Sequence, residues 1–193
     1  MMLEAQSTLG SAFGAANPLA GFQRAGVTLR ERADIGCLLV NSAVETDDLY
    51  AALSSAAGVS LPEYAGEVQR NGNRLALWLT PRSWLLHCGL DEELTLARQI
   101  NASFPDKSVH AAQFTDYLTW LELDGAGALL MLQEGGFLSL AKDGMRVGHA
   151  KRTLIAGITA VIVRQSVETW LVGVERSRAR YFADWLRSCA EAS

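Results

Sequence analysis

The chain has 193 residues, 49% of them hydrophobic and 20% charged, an ordinary globular composition with room for one domain or two small lobes around a shared core. A net charge of −4 and a pI near 5.4 exclude free nucleic acid or an anionic membrane as the main partner, since phosphate-binding surfaces carry a basic excess over the whole domain. No apolar run reaches the roughly 18 residues of a membrane span, and no basic residue precedes Arg24, so the expectation is a cytoplasmic protein without a signal peptide.

Residues 1 to about 26 are rich in Ala, Gly and Ser, and read as an arm that is flexible or wraps a partner. Val27 to Arg32 alternates apolar and polar residues, which suits a short edge strand. Ile35 to Asn41 is a compact apolar strand. Thr46-Asp47-Asp48 then opens a helix, with the threonine as cap and the acids on the positive end of the dipole. Leu49, Leu53 and Ala56 give that helix its apolar stripe, and Gly58 ends it. Glu63 to Asn73 reads as a polar excursion.

Leu75 to Leu79 and Trp84 to Cys88 are two strands joined by a tight turn with Pro81 at its second position. Asp91-Glu92-Glu93 starts a second helix, buried through Leu94, Ala97 and Ile100, and Val109 to Phe114 is a further strand. From Ile35 the order is strand, helix, strand, strand, helix, strand, the split βαβ arrangement of a ferredoxin-like half. The hairpin strands are apolar on both faces, so both need cover, from the second half or from a partner protein.

The second half opens with the strand Tyr117 to Leu123, a turn at Asp124-Gly125-Ala126-Gly127, and a short helix from Ala128 to Gln133. A loop from Ser139 to Arg152 precedes three β-rich segments, Thr153 to Ile155, Thr159 to Arg164 and Thr169 to Val174. A last amphipathic helix runs from about Ser177 to Cys189, with Tyr181, Trp185 and Leu186 on one side.

Chemistry-bearing motifs are sparse. Cys37, Cys88 and Cys189 are odd in number and far apart, and read as buried thiols in a reducing compartment. His87 and Cys88 are adjacent on a strand, point to opposite faces and cannot share a metal. No GxSxG elbow is present. The acids at Asp47-Asp48 and Asp91-Glu92-Glu93 fall at helix starts, where the dipole explains them. Asp116 is the nearest candidate for a catalytic or pterin-contacting acid, and a strand-entry cap explains it equally. The strand–glycine-turn–helix from Leu121 to Gly127 resembles a dinucleotide site, but Leu130 stands at the third glycine position, where the helix must approach the sheet closely.

Charge is unevenly placed. Residues 142 to 187 hold nine Lys or Arg against four Asp or Glu, while the remainder holds eight against seventeen. Lys142, Arg146, Lys151 and Arg152 in one segment and Arg176 and Arg178 in another form a positive surface for an acidic partner or a polyanion such as a folate glutamate tail. With Trp78 and Trp84 of the greasy hairpin they are the candidate partner-contact residues.

These segments carry a resemblance. Gly26 to Arg32, Leu77-Trp78-Leu79-Thr80-Pro81-Arg82-Ser83-Trp84-Leu85-Leu86, Asp116 to Gly136, and Arg176-Ser177 leading to Tyr181 and Asp184-Trp185-Leu186 occur in the order and spacing of the gamma subunits of heterotetrameric sarcosine oxidase. The chain is similar to that family, which is related in fold to the glycine-cleavage T protein. The resemblance implies an α+β fold of two ferredoxin-like, split βαβ halves, about 27–114 and 115–193, with antiparallel sheets packed together. It implies a non-catalytic small subunit with no cofactor, metal or catalytic residue of its own. FAD, FMN, NAD and tetrahydrofolate are then expected in the larger alpha, beta and delta subunits, with alpha the chief partner. The assembly is an oxidoreductase acting on a CH–NH donor, demethylating sarcosine to glycine and passing the one-carbon unit to tetrahydrofolate. The alternatives are a free-standing folate-binding one-carbon transferase and a subunit of a related N-methyl amino acid dehydrogenase.

Overall fold

The computed structural model describes residues 7–10, 22–24, 26–136 and 145–192, and places them in two compact units. One comprises residues 34–116; the other combines the chain before residue 34 with the chain from residue 117 onward. The strands are β1 (Phe22–Arg24), β2 (Val27–Glu31), β3 (Ile35–Ser42), β4 (Val68–Asn71), β5 (Arg74–Thr80), β6 (Ser83–Gly89), β7 (Val109–Gln113), β8 (Leu118–Asp124), β9 (Ala150–Ile155), β10 (Ile158–Arg164) and β11 (Thr169–Glu175). The helices are α1 (Asp47–Ala57), α2 (Glu93–Ser103), α3 (Ala128–Glu134) and α4 (Ala179–Ala192).

In the unit of residues 34–116 the sheet order is β4-β5-β6-β3-β7, antiparallel throughout. The last four strands with α1 and α2 make the expected ferredoxin-like pattern. Thr46 caps α1 through its side-chain oxygen, which accepts the Leu49 N–H, and Gly58 closes the helix at φ 67°, the left-handed conformation that glycine adopts without penalty. The helices cover Leu38, Val40, Ala76, Trp84 and Leu86 with Leu53, Leu96 and Ile100. Glu93, read as a dipole acid, is buried and accepts the backbone N–H groups of Phe114 (3.2 Å) and Thr115 (3.3 Å), which fixes the chain as it leaves β7.

The excursion before the hairpin contains a strand. Asn71-Gly72-Asn73-Arg74 makes a two-residue hairpin loop between β4 and β5, with Gly72 at φ 59°. Gly-Asn between two strands, with glycine at the first central position, is a short-range hairpin signal, and the polarity of β4, an edge strand with one neighbour, masks it.

In the second unit the order is β1-β2-β8-β11-β10-β9, again antiparallel. From β9 to β2 this repeats the order of the first sheet, β4 to β7. The closing strand comes from before the first unit rather than from the carboxyl end. Val27 to Arg32, expected at the edge of the first half, therefore belongs to this sheet and lies between β1 and β8. Its pairing with β8 fixes its place, and Val27 and Leu29 join the core beneath α3 and α4.

Parts of the amino-terminal arm are built into the same unit. Leu9 is 3% exposed within this core. The buried Glu31 carboxylate accepts the N–H groups of Thr8 (2.8 Å) and Leu9 (3.4 Å) and the hydroxyl of Ser7. Phe22–Arg24, also of the arm, forms β1 and pairs with β2, and residues 1–6, 11–21 and 25 lie outside the described residues.

Helix α4 buries Phe182, Ala183, Leu186 and Cys189, spaced for one helical face. Tyr181, expected on that face, is 60% exposed. Lys151 and Arg152 lie in β9 rather than in a loop.

Candidate functional site

Most side chains on both faces of the hairpin of β5 and β6 are buried, while Trp78 and Leu79 keep part of their surface exposed. Trp84 is fully buried, donates its indole N–H to the Pro62 carbonyl at 2.9 Å, and meets the Tyr50 ring edge-on at 5.4 Å. Trp78 pairs across the strands with Trp84 and is half-buried. The side chains pointing away from the helices, including Leu75, Leu77, Leu85 and His87, are also buried. The two tryptophans thus stabilise this unit, and the expected contact through Trp84 is corrected: an indole with no exposed surface cannot touch a partner.

The other leads resolve into structure as well. Among the described residues no group of three or more His, Cys, Asp or Glu could hold a metal. Burial pushes the Cys88 thiol up to about 11, with the charges of Glu93 and Glu92 adding to it. Burial, with help from a Glu134 hydrogen bond, does the same for Cys189, and neither is an activated nucleophile. At the glycine turn, Gly125 has φ 127°, and a Cβ there would lie 2.0 Å from the Gly26 carbonyl oxygen. This glycine exists to let β2 pass close to β8. Leu130, at the third glycine position of that pattern, is 64% exposed on α3, and the close approach of the Gly26 backbone explains the glycine turn. Asp116 is exposed between β7 and β8.

The positive residues divide by strand geometry. Lys142 lies outside the described residues. Lys151 pairs with Ile162 and Arg152 with Val161, and consecutive strand residues face opposite ways. Lys151 therefore falls on the helix side of the sheet with Ile162 and Val172. Arg152 and Leu154 fall on the other side, with Val161 and Gly173. Arg146 is exposed in the turn before β9, at the opposite end of that strand from Leu154. Arg176 and Arg178 form a 3-10 turn between β11 and α4, anchored by the Arg176 N–H on the Tyr117 carbonyl at 2.9 Å.

One cluster results. The Tyr117 hydroxyl donates to Glu175 at 3.0 Å, and the other Glu175 oxygen lies 3.9 Å from the Arg178 guanidinium. The hydrogen bond and the Glu175 charge raise the Tyr117 pKa, while Arg152 pulls it down, which places Arg152 within electrostatic reach of the same hydroxyl. Leu154, opposite Thr159 on the same side, is 60% exposed, and Tyr117 is 50% exposed. Sequence reasoning singled out Arg152, Arg176 and Arg178 but missed Tyr117, Leu154 and Glu175. The i, i+2 spacing of Arg152 and Leu154 was the available signal; the reach of Tyr117 to Glu175 depends on strand register and was not.

Comparison with known proteins adds the following. The family model described as "Sarcosine oxidase, gamma subunit family" matches residues 42–192. The curated protein "Sarcosine oxidase subunit gamma" of Corynebacterium sp. (strain U-96) is 30% identical over 161 residues, 83% of this chain and 77% of the relative. Among solved structures, a chain of heterotetrameric sarcosine oxidase from Corynebacterium sp. U-96, in complex with pyrrole 2-carboxylate, superposes with a TM-score of 0.84 at 25% identity. That match covers 97% of this chain and 95% of the other. The glycine cleavage system aminomethyltransferase T from Bartonella henselae superposes with a TM-score of 0.62 at 12% identity, over 84% of this chain and 46% of that one, a likeness of fold alone.

Proposed function

The chain belongs to the sarcosine oxidase gamma subunit family, and from that premise we propose that it is the gamma subunit of a heterotetrameric sarcosine oxidase. The observation that carries this reading is the superposition over 95% of a chain of such an assembly, which leaves almost no part of that chain without a counterpart here. The complex, in this reading, is a cytoplasmic oxidoreductase that demethylates sarcosine to glycine and transfers the one-carbon unit to tetrahydrofolate.

The flavins, the nicotinamide cofactor and the folate site then reside in the alpha, beta and delta subunits, with alpha the principal neighbour of this chain. The gamma subunit contributes a folded body and no reacting group. Its buried carboxylates support that role: Glu31 and Glu93 each accept backbone N–H groups. Glu122, between Arg30 and Arg32 (2.6 Å to the latter), holds β2 to β8.

Affinity purification of the tagged chain from its own cells tests the reading. The expected result is co-elution with three other polypeptides and a flavin absorbance that bleaches when sarcosine is added. Recovery of the chain alone, or with proteins that bear no flavin and do not respond to sarcosine, would overturn it.

A further inference from the structure

Resting on that reading, we infer that the exposed patch of Arg152, Leu154, Tyr117 and Arg178 docks a carboxylate-bearing segment of a larger subunit. Three observations meet there. Two large side chains with apolar surface, Leu154 and Tyr117, are at least half exposed. Arginines flank them, on β9 and on the turn before α4. Glu175 takes the Tyr117 hydroxyl and stands 3.9 Å from Arg178, longer than a hydrogen bond.

The composition matches an interface core, where Tyr and Arg are enriched and a desolvated apolar anchor is ringed by polar groups. The charge decides the occupant. Arg152 and Arg178 are exposed and belong to a stretch, residues 142–187, that holds nine Lys or Arg against four Asp or Glu. A second copy of this chain would bring like charge to like charge, and basic side chains on an edge strand such as β9 oppose self-pairing. An acidic segment is attracted instead, and the planar guanidinium fork binds its carboxylates in a bidentate manner. The rest of this chain is acidic, so the local excess also orients encounter with the partner.

The test is assembly of the complex as a function of salt. Purified gamma chain is titrated into the co-expressed larger subunits at about 50 mM and about 500 mM salt, where screening lengths differ several-fold. The chains compared are wild type, Arg152→Glu/Arg178→Glu, Leu154→Ser, and the control Arg70→Glu/Arg98→Glu, whose arginines are exposed on the other unit. The expected result is at least about tenfold weaker association for the first pair at low salt, narrowing at high salt, with the control unchanged. Leu154→Ser weakens association at both salts. All the substituted residues are exposed, and an unchanged melting temperature shows that the fold is intact. Should the fold suffer, the salt dependence of the wild type still decides, because this docking requires association to weaken as salt rises. Unchanged affinity and salt dependence in the arginine pair, with the complex still forming, would overturn this surface and leave the subunit reading standing. Failure of the wild-type chain to join the larger subunits at any salt would overturn the subunit reading itself.

Discussion

Glu31 and the segment around Leu9 make a sharp test of how the second unit is held together. The Glu31 carboxylate is 5% exposed and accepts the N–H groups of Thr8 and Leu9, while Leu9 is 3% exposed in the core. Deleting residues 1–10 removes both features. Loss of one buried leucine costs about 2 kcal/mol, and a buried carboxylate stripped of its donors costs about 3 kcal/mol more. The truncated chain should therefore lose about 5 kcal/mol, a large part of a typical domain's stability. Glu31→Leu separates the two contributions. In the full-length chain it is destabilising, because it leaves the Thr8 and Leu9 N–H groups without an acceptor. In the truncated chain it is stabilising, because it removes an orphaned charge. Urea unfolding followed by tryptophan fluorescence gives the four stabilities, and hydrogen exchange at the Val27–Glu31 amides localises the change. An effect of the same sign in both backgrounds, or a truncation costing under about 1 kcal/mol, would refute the reasoning.

Gly125→Ala forces a Cβ to 2.0 Å from the Gly26 carbonyl oxygen at φ 127° and should cost about 3 kcal/mol in urea unfolding. Trp84→Phe keeps the ring in the core but strands the Pro62 carbonyl, for a loss of about 1 to 2 kcal/mol, whereas Trp84→Ala opens a cavity worth about 4 kcal/mol. Cys88 and Cys189, with thiol pKa values pushed up to about 11, should resist a thiol-specific reagent at neutral pH until the chain is unfolded. The linkage has a definite sign: the folded state holds these protons more tightly than the unfolded state. Their contribution to stability is therefore complete below the ordinary thiol range and declines as pH rises toward about 11. Replacing both cysteines by alanine should flatten that alkaline decline in a pH series of melting temperatures.

Local chemistry was legible where it was self-contained. Thr46 and Gly58 bracket α1 as their residue types require. The Thr80-Pro81-Arg82-Ser83 turn joins two strands as expected, with a register irregularity between Trp78 and Thr80. What could not be read was pairing between distant segments. Val27–Glu31 alternates as any half-buried strand does, and nothing local says that its neighbour is β8, some ninety residues later, rather than a strand of the first half. Polar β4 lacked a hydrophobic signature because it is an edge strand. Tyr181 was placed with Trp185 and Leu186 on one side of the last helix, whereas the apolar stripe of α4 turns it outward. The candidate surface was half visible: its arginines stood out as a charge excess, while the tyrosine, leucine and glutamate beside them depend on strand register.

The central claim is that this chain assembles into the oxidase without performing its chemistry. Sarcosine-dependent flavin reduction, measured on the gamma chain alone and on the four co-expressed subunits, tests it most directly. The account predicts no reduction and no bound flavin in the lone chain, and turnover in an assembly whose native mass includes one gamma chain. Sarcosine oxidation by the lone chain, or an assembly of the larger subunits that never incorporates it, would contradict the account.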